Sequence, residues 1–368
     1  MSEFRRINVG TASGTYDVVV GSRVLEQAGD LVAAVARGRR VALVSDSNVS
    51  ELFGAQVGAK LITAQLEVRP LTFEAGETSK NWQVAGEVIE ALADSGLDRL
   101  DTVIALGGGV VGDLVGFSAA CYLRGVDFVQ MPTTLLAQVD SSVGGKTGVD
   151  LRAGKNLAGA FKQPLIVLSD IDSLASLPEP EWRSGLAEVA KSAVIDGEEF
   201  TAWIEHNAAA LVSRDLDVIE EAVVRCVTFK SGVVSTDEKE EGVRECLNYG
   251  HTLAHAIENV AGYGVIPHGL AVAEGMRFAA RLAVEVSGAS REFVKRQDAM
   301  LDALGLTALE DVWPVGSLAS AMRSDKKARS GAIRFVLADE PGSWTCASVE
   351  DRTIREHLDA WAGSKGSD

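Results

Sequence analysis

Two histidines stand one helical turn apart in the segment RECLNYGHTLAH, in a chain that has only five histidines. On a single helix, the side chains of Arg244, Asn248, His251 and His255 would project within about 60° of one another, because successive residues turn by about 100°. His251 and His255 would then meet, which is a spacing that can bind a metal ion. His268, in the loop sequence IPHGL, could supply another imidazole. A solvated helix face explains the same spacing without any ligand.

Three charged residues lie on other helical patterns. Glu188, in SGLAEVAK, could add an acidic metal ligand. However, Glu188 and Lys191 lie opposite the apolar stripe of their helix, where an i, i+3 salt bridge explains both. Lys230 lies on the apolar stripe of its own helix, and a buried lysine needs a partner. We therefore expect Lys230 to pair with a substrate anion or a catalytic acid, and a Lys230→Met protein to keep or gain stability while turnover falls by orders of magnitude.

The sequence GGGVVGD, at 107–113, follows a β-rich run and opens a helical pattern. Glycines lack a Cβ atom, so backbone N–H groups can approach a phosphate, and the helix N-terminus favours its negative charge. The turn also fits the GxGxxG dinucleotide motif. It departs from an ordinary Rossmann motif in two ways. Its strand is not the first of the chain, and Asp127, which has about the spacing of a ribose-binding acid, begins a strand rather than ending one. A turn without a ligand is the alternative.

Further candidate contacts to an anion or a nucleotide lie in loops. Asp46 ends a strand, where open α/β sheets bind ligands, and Glu77 and Lys80 lie in EAGETSK. Each of the three is more often a capping or solvated residue than a ligand contact. The segment VDSSVGGKTGVDLRAGKN has a glycine-rich backbone that could close on an anion or form a solvated loop. Its candidate residues are Asp140, Lys146, Lys155 and Asn156.

The elements that position these residues follow from the hydrophobic periodicity of the 368-residue chain. Short β-rich runs at 17–20, 40–44, 101–106, 127–131 and 165–168 alternate with helical patterns, which predicts a parallel-rich, Rossmann-like sheet. Long helical patterns follow at 186–195, 216–235, 244–260, 270–287 and 292–304. The prolines of LPEPEW interrupt both the strand-like and the helical patterns, which indicates a boundary. We therefore predict an α/β domain over 1–180 and a mainly α-helical domain over 181–368.

Charge and composition exclude several classes of partner. The net charge of −17 argues against binding to nucleic acid or an anionic membrane, so cations must cluster around any anionic ligand. The four cysteines are far apart and form no CxxC pair, which predicts buried reduced thiols rather than a disulfide framework or a zinc cluster. The N-terminus lacks the apolar region of a signal peptide, and the most apolar stretch, 103–117, is interrupted by glycines and Asp113. We expect a cytoplasmic protein with no membrane partner.

Taken together, these segments resemble the 3-dehydroquinate synthase family. The resemblance covers nearly the whole chain, and its most specific part is the run 132–156. It implies an α/β domain that binds NAD, a helical domain that carries a divalent metal (zinc or cobalt), and a homodimer. The matching stretches are GGGVVGD (107–113), YLRG (122–125), PTTLLAQVDSSVGGKTGVD (132–150), GKN (154–156), GLAEVAK (185–191), STDEKEEGVRECLNYGHTLAHAIE (235–258), PHGLAVAEGM (267–276) and DKK (325–327).

The resemblance also implies roles for individual residues. It makes Glu188, His251 and His268 the metal ligands, and it makes His255 a residue that contacts substrate and handles protons instead of a ligand. The implied catalytic and substrate-binding residues are Arg124, Asp140, Lys146, Asn156, Lys191, Lys230, Glu240, Arg244, Asn248, His255 and one of the pair Lys326 and Lys327. The implied cofactor-binding residues are Asp46, Glu77, Lys80, Gly108, Gly109, Val110, Val111, Gly112, Asp113, Thr133, Thr134, Lys146 and Lys155.

The implied reaction converts an anionic sugar phosphate, 3-deoxy-D-arabino-heptulosonate 7-phosphate, into 3-dehydroquinate and phosphate. It proceeds by transient oxidation with NAD, phosphate elimination, re-reduction and intramolecular aldol closure, with the substrate between the domains. Alternatives are another sugar-phosphate cyclase, a metal-dependent polyol dehydrogenase of the glycerol dehydrogenase type, and an inactive binding module on the same fold. Gly232 and Leu270 depart from the family pattern, but neither matches a ligand position, so we expect altered packing or altered surroundings of the metal ligands rather than lost activity.

Overall fold

The computed structural model describes residues 4–325 and 332–365. Contacts divide the chain into two compact units, the first formed by Met1–Pro178 with Ile219–Lys239 and the second by Glu179–Val218 with Glu240–Asp368. The domain division predicted between residues 180 and 181 stays a prediction. The two compact units differ from the predicted domains mainly because residues 219–239 belong to the α/β unit.

The first unit is built on a parallel-rich sheet. Its strands are β1 (Arg5–Thr11), β2 (Gly14–Gly21), β3 (Arg40–Asp46), β4 (Glu67–Phe73), β5 (Thr102–Gly107), β6 (Asp127–Pro132), β7 (Lys146–Leu151), β8 (Gly154–Phe161) and β9 (Ile166–Asp170). Within the described residues, seven of them form one sheet in the order β1–β2–β9–β6–β5–β3–β4, in which only β1–β2 is antiparallel. β7 and β8 form a separate antiparallel hairpin. The predicted Rossmann-like sheet is confirmed.

Helices cover both faces of this sheet, as a parallel sheet requires. Along β5, Val103 and Ala105 belong to one core cluster, while Ile104 and Leu106 belong to another, because successive side chains point to opposite faces. The helices are α1 (Ala28–Val35), α2 (Ser47–Val49), α3 (Ala55–Thr63), α4 (Trp82–Asp94) and α5 (Gly109–Cys121). The first cluster includes side chains of α4 and α5, and the second includes side chains of α1 and α3.

The second unit is mainly helical, as predicted, but it also contains an antiparallel hairpin that the sequence analysis missed. The hairpin consists of β10 (Ile333–Glu340) and β11 (Ser343–Val349). The later helices of the chain are α6 (Glu179–Asp196), α7 (Glu198–Val212), α8 (Leu216–Thr236), α9 (His251–Ala261), α10 (His268–Val286), α11 (Arg291–Ala303), α12 (Val315–Asp325) and α13 (Asp351–Ser364). Most of α8 belongs to the first unit.

The helix predicted over 244–260 is wrong as one continuous element. Val243–Asn248 forms a 3-10 helix, and α9 begins only at His251. The break lies at Gly250, whose φ of 79° is in the left-handed region that favours glycine. Arg244 and Asn248 therefore do not share a helix face with His251 and His255, and the angular argument made for these four residues does not hold.

Gly250 and Gly275 let the start of α9 approach α10 closely. A Cβ atom on Gly275 would lie 1.9 Å from the carbonyl oxygen of Gly250, and one on Gly250 would lie 2.8 Å from the oxygen of Val272. The backbones are thus in direct contact at this point, and the contact fixes where His251 begins α9.

Replacing Gly275 with alanine is expected to lower the free energy of unfolding by about 3 kcal/mol, because the added methyl group forces two backbones apart. Denaturant unfolding measures this change. Gly232→Ala is the control, since a Cβ on Gly232 of α8 would have no described heavy atom within 4 Å. That helical substitution is expected to be neutral or stabilising by up to about 1 kcal/mol. An unchanged unfolding midpoint for Gly275→Ala would contradict the close approach.

All four cysteines are free thiols. Cys226 and Cys246 are buried, Cys346 is partly exposed and Cys121 is exposed. The expectation of buried thiols is therefore wrong for Cys121, the last residue of α5, and is met only in part by Cys346. No helix of residues 4–325 and 332–365 is both long enough and apolar enough to cross a membrane.

Candidate metal centre and active-site residues

Three side chains of the helical unit converge on one point. Glu188 lies on α6, while His251 and His268 are the first residues of α9 and α10. The Nε2 atoms of His251 and His268 are each 3.6 Å from Oε1 of Glu188, and one ligand atom from each residue lies within 4.8 Å of the others. Two ligands about 2.1 Å from one tetrahedral ion are roughly 3.4 Å apart, so this cluster fits a zinc or cobalt ion.

The electrostatic surroundings of the cluster favour metal binding by His251. Burial, aided by the nearby Lys191 ammonium, lowers the pKa of His251 to about 3 and keeps the imidazole neutral, the form that ligates metals. Burial would also lower the pKa of His268, but hydrogen bonds with Glu188 and Glu258 outweigh it and raise this pKa to about 9. Lys191 forms the predicted salt bridge with Glu188, and both side chains are buried.

Both histidines are also held through their other ring nitrogen. Nδ1 of His251 is 3.1 Å from the carbonyl oxygen of Tyr249, and Nδ1 of His268 is 3.3 Å from Oε1 of Glu258. Metal-binding histidines commonly engage a carbonyl or carboxylate in this way, which orients Nε2 toward the metal. Glu258 was not among the residues predicted from the sequence. It lies seven residues after His251, which is two turns along the same helix, and this spacing could have indicated that it faces the metal cluster.

His255 lies beside this cluster but is not part of its ligand set. Its ring centroid is 5.4 Å from that of His251 and 6.4 Å from that of His268. In the described residues, the group of ligand atoms that could share one ion comprises Glu188, His251 and His268. The second imidazole of this group therefore comes from His268 at the start of α10 and not from His255, the partner that helical spacing alone indicated.

A second group of polar residues lies in the 3-10 helix that precedes α9 and just before it, and it comprises Glu240, Arg244 and Asn248. Arg244 is buried, with 1% of its surface exposed. Nδ2 of Asn248 donates a hydrogen bond to Oε1 of Glu240 at 2.7 Å. Glu240 has a φ of 60°, so its backbone is held in a region that non-glycine residues seldom occupy. Such positions concentrate at functional sites.

In the α/β unit, Lys230 is buried on α8, as its position on the apolar stripe indicated. Its Nζ donates hydrogen bonds to the backbone oxygen and to Oδ1 of Asp140, both at 2.7 Å. Asp140 lies in a π-helical turn (Ala137–Ser141) that precedes β7. The partner of Lys230 in the structure is thus another predicted active-site residue.

The glycine-rich turn joins β5 to α5 as predicted. A Cβ on Gly107 would lie 2.4 Å from Val111, and one on Gly108 would lie 2.8 Å from Thr134. Gly108 has no side chain to cap α5, so the first amide groups of the helix can donate to a phosphate. The turn begins with Gly107 and continues through Gly108, Gly109, Val110, Val111 and Gly112.

Charged residues surround this turn. Lys80 is buried and its Nζ lies 2.6 Å from Oδ2 of Asp113 on α5. Burial would lower the pKa of Lys80, but Asp113 and Glu77 outweigh that effect and raise it, so the ammonium stays charged. Lys155 pairs with Glu77 at 3.0 Å. The next strand, β6, leads into Thr133, whose backbone N–H donates to Gly107.

The remaining predicted residues differ in their surroundings. Asp46 accepts a hydrogen bond from the backbone N–H of Val49 and so caps α2, the alternative considered for it above. Thr134 accepts a bond from the backbone of Ala137. Three residues are exposed, namely Arg124, Lys146 and Asn156. Lys326 and Lys327 lie outside the described residues.

Two family models match consecutive parts of the chain. A family model described as 3-dehydroquinate synthase N-terminal matches residues 70–184, and one described as 3-dehydroquinate synthase C-terminal matches residues 185–328. The chain is 45% identical over 355 residues to the 3-dehydroquinate synthase of Caulobacter vibrioides, which covers 95% of this chain and 96% of the relative.

Two solved structures resemble the fold closely. One is 2-deoxy-scyllo-inosose synthase complexed with carbaglucose-6-phosphate, NAD+ and Co2+, with a TM-score of 0.86, 25% identity and coverage of 97% of this chain and 99% of that one. The other is 2-epi-5-epi-valiolone synthase from Streptomyces hygroscopicus with NAD+ and Zn2+ bound, with a TM-score of 0.86, 29% identity and coverage of 95% and 97%.

Proposed function

The chain belongs to the 3-dehydroquinate synthase family, and we propose that its two units contribute a nucleotide site and a metal site to the reaction of that family. The protein is a lyase of the shikimate pathway that converts 3-deoxy-D-arabino-heptulosonate 7-phosphate into 3-dehydroquinate and phosphate. The observation that carries the assignment of residues is the convergence of Glu188, His251 and His268 beside the Lys191 ammonium.

The donor set supports a divalent metal, zinc or cobalt, at Glu188, His251 and His268. When bound there, it would supply Lewis-acid assistance to the oxidation at C5 of the substrate. The chain's own contribution is to keep His251 neutral, to orient its imidazole through Nδ1, and to exclude water by burying Glu188 and Lys191.

NAD fits the glycine-rich turn, where the first amide groups of α5 would hold its pyrophosphate. When bound, NAD would supply reversible hydride acceptance, so that the overall reaction would be redox-neutral. Lys80 and Asp113 fix each other beside this turn through their 2.6 Å ion pair. We assign the remaining cofactor contacts to the residues that the resemblance implies.

Substrate charge requires cations despite the net charge of −17. We assign recognition of the carboxylate and phosphate to basic side chains, since such groups bind oxyanions strongly. His255 is assigned to proton handling, and the departing phosphate acts as its own base. The basic side chains are Arg124, Lys146, Lys191, Lys230 and Arg244.

We also propose that the protein works as a cytoplasmic homodimer without nucleic-acid or membrane partners. The resemblance to the family supports the dimer. The acidic net charge supports the absence of a nucleic-acid partner.

The reaction is expected to release phosphate and 3-dehydroquinate in equal amounts without accumulating NADH. Purified protein supplied with catalytic NAD, zinc or cobalt and the heptulosonate phosphate would be followed by a phosphate assay, product analysis and absorbance at the NADH band. A polyol dehydrogenase would accumulate NADH stoichiometrically, because it has no reducing half-reaction. A sister cyclase would release phosphate with a different carbocycle. Inertness with metal and NAD bound would favour a binding module.

A further inference from the structure

Glu258 is a buried carboxylate to which the mechanism above gives no role. It lies on α9 with 2% of its surface exposed. Burying a carboxylate is costly unless it is paired and hydrogen-bonded. Oε1 of Glu258 lies 3.3 Å from Nδ1 of His268, on the opposite side of the ring from Nε2, which is 3.6 Å from Glu188.

The ring of His268 depends on a side-chain partner for its orientation more than the ring of His251 does. His251 follows Gly250, whose backbone is packed against α10, and its Nδ1 faces the backbone oxygen of Tyr249. His268 instead follows a loop that contains two left-handed glycines, Gly262 and Gly264. The side chain of His268 is 32% exposed, compared with 12% for His251, so fewer neighbours hold its ring.

We propose that Glu258 is a positioning residue that fixes the ring and the tautomer of His268 for metal binding. A hydrogen bond from Nδ1–H to the carboxylate leaves the lone pair on Nε2, and the negative charge makes that nitrogen a stronger ligand. Glu258 thus acts on the metal only through His268. This inference rests on the proposed function, because it takes His268 to be a ligand.

Metal affinity measured by chelator competition tests the role directly. Glu258→Met keeps an unbranched side chain of similar length but removes the acceptor, and the dissociation constant for Zn2+ is expected to rise about 10–100-fold. Glu258→Gln keeps an acceptor without the charge, and a smaller rise is expected. Glu274→Gln is the control, since Glu274 is also a buried glutamate of the helical unit, and its partners are Leu309, Trp361 and Lys365 rather than the metal cluster.

A double-mutant cycle separates action through His268 from an independent effect. Adding Glu258→Met to His268→Ala is expected to cause no further loss of Zn2+ affinity. Equal losses in the two backgrounds, or unchanged affinity in both Glu258 variants, would overturn the inference. If His268→Ala itself leaves affinity unchanged, the proposed metal site is wrong, which is a different outcome. Unfolding of the metal-free variants confirms that each remains folded, and Glu258→Gln carries the test if Glu258→Met does not fold.

Discussion

His251→Ala protein is expected to form no measurable 3-dehydroquinate and to retain close to no tightly bound metal. Alanine would leave Glu188 and His268 as ligands, whereas catalytic zinc sites use three protein ligands. Lewis-acid assistance is worth several kcal/mol, so turnover is expected to fall at least about 10³-fold. Metal analysis of the dialysed protein and a phosphate-release assay measure the two effects.

The fold of the α/β unit is expected to survive this substitution. Both core clusters of that unit consist of its own side chains, so NAD binding and circular dichroism should change little. His206→Ala is a matched control, because His206 is exposed on α7, and this variant should keep its metal and its activity. One tightly bound ion per chain in His251→Ala protein would refute the ligand assignment.

The sequence predicted the large sheet because buried parallel strands leave strong local patterns. The run at 101–106 ends in four consecutive apolar residues, and β5 is buried on both faces. The hairpin β7–β8 could not be predicted in the same way, because glycine disfavours strands. Its glycines are required by close approach: Gly148 pairs with Gly159, and a Cβ on Gly159 would lie 2.4 Å from the backbone oxygen of Thr147.

Helical periodicity singled out His251 but predicted the wrong geometry around the metal cluster. It predicted one helix through Arg244 and His255, whereas the chain breaks at Gly250. That break is stabilised by contact with Gly275, which is 25 residues away and leaves no local signal. The contact between Glu258 on α9 and His268 on α10 likewise joins residues on either side of a loop. Position on one helix therefore could not show that His251 belongs to the candidate metal group and that His255, one turn away, does not.

Lys230→Met is expected to lower turnover by orders of magnitude, and its effect on stability now has to account for Asp140. The sequence alone indicated that stability would hold, on the assumption that the partner is a substrate group or a catalytic acid. In the structure, Nζ makes two 2.7 Å hydrogen bonds to Asp140. Removing one member of a buried ion pair leaves the other charge uncompensated, which destabilises a protein. The side chain of Asp140 is 25% exposed, so water reduces this cost.

The double variant Lys230→Met/Asp140→Asn separates stability from activity. Neutralising both members removes the stranded charge, so the free energy of unfolding is expected to recover toward that of the parent protein. Turnover should not recover, because the substrate anion still lacks its cation. Denaturant unfolding and steady-state kinetics of the two variants make the comparison. Near-normal turnover in Lys230→Met would show that the pair only supports the fold. Recovery of turnover in the double variant would show that the defect came from the unpaired carboxylate rather than from the lost ammonium.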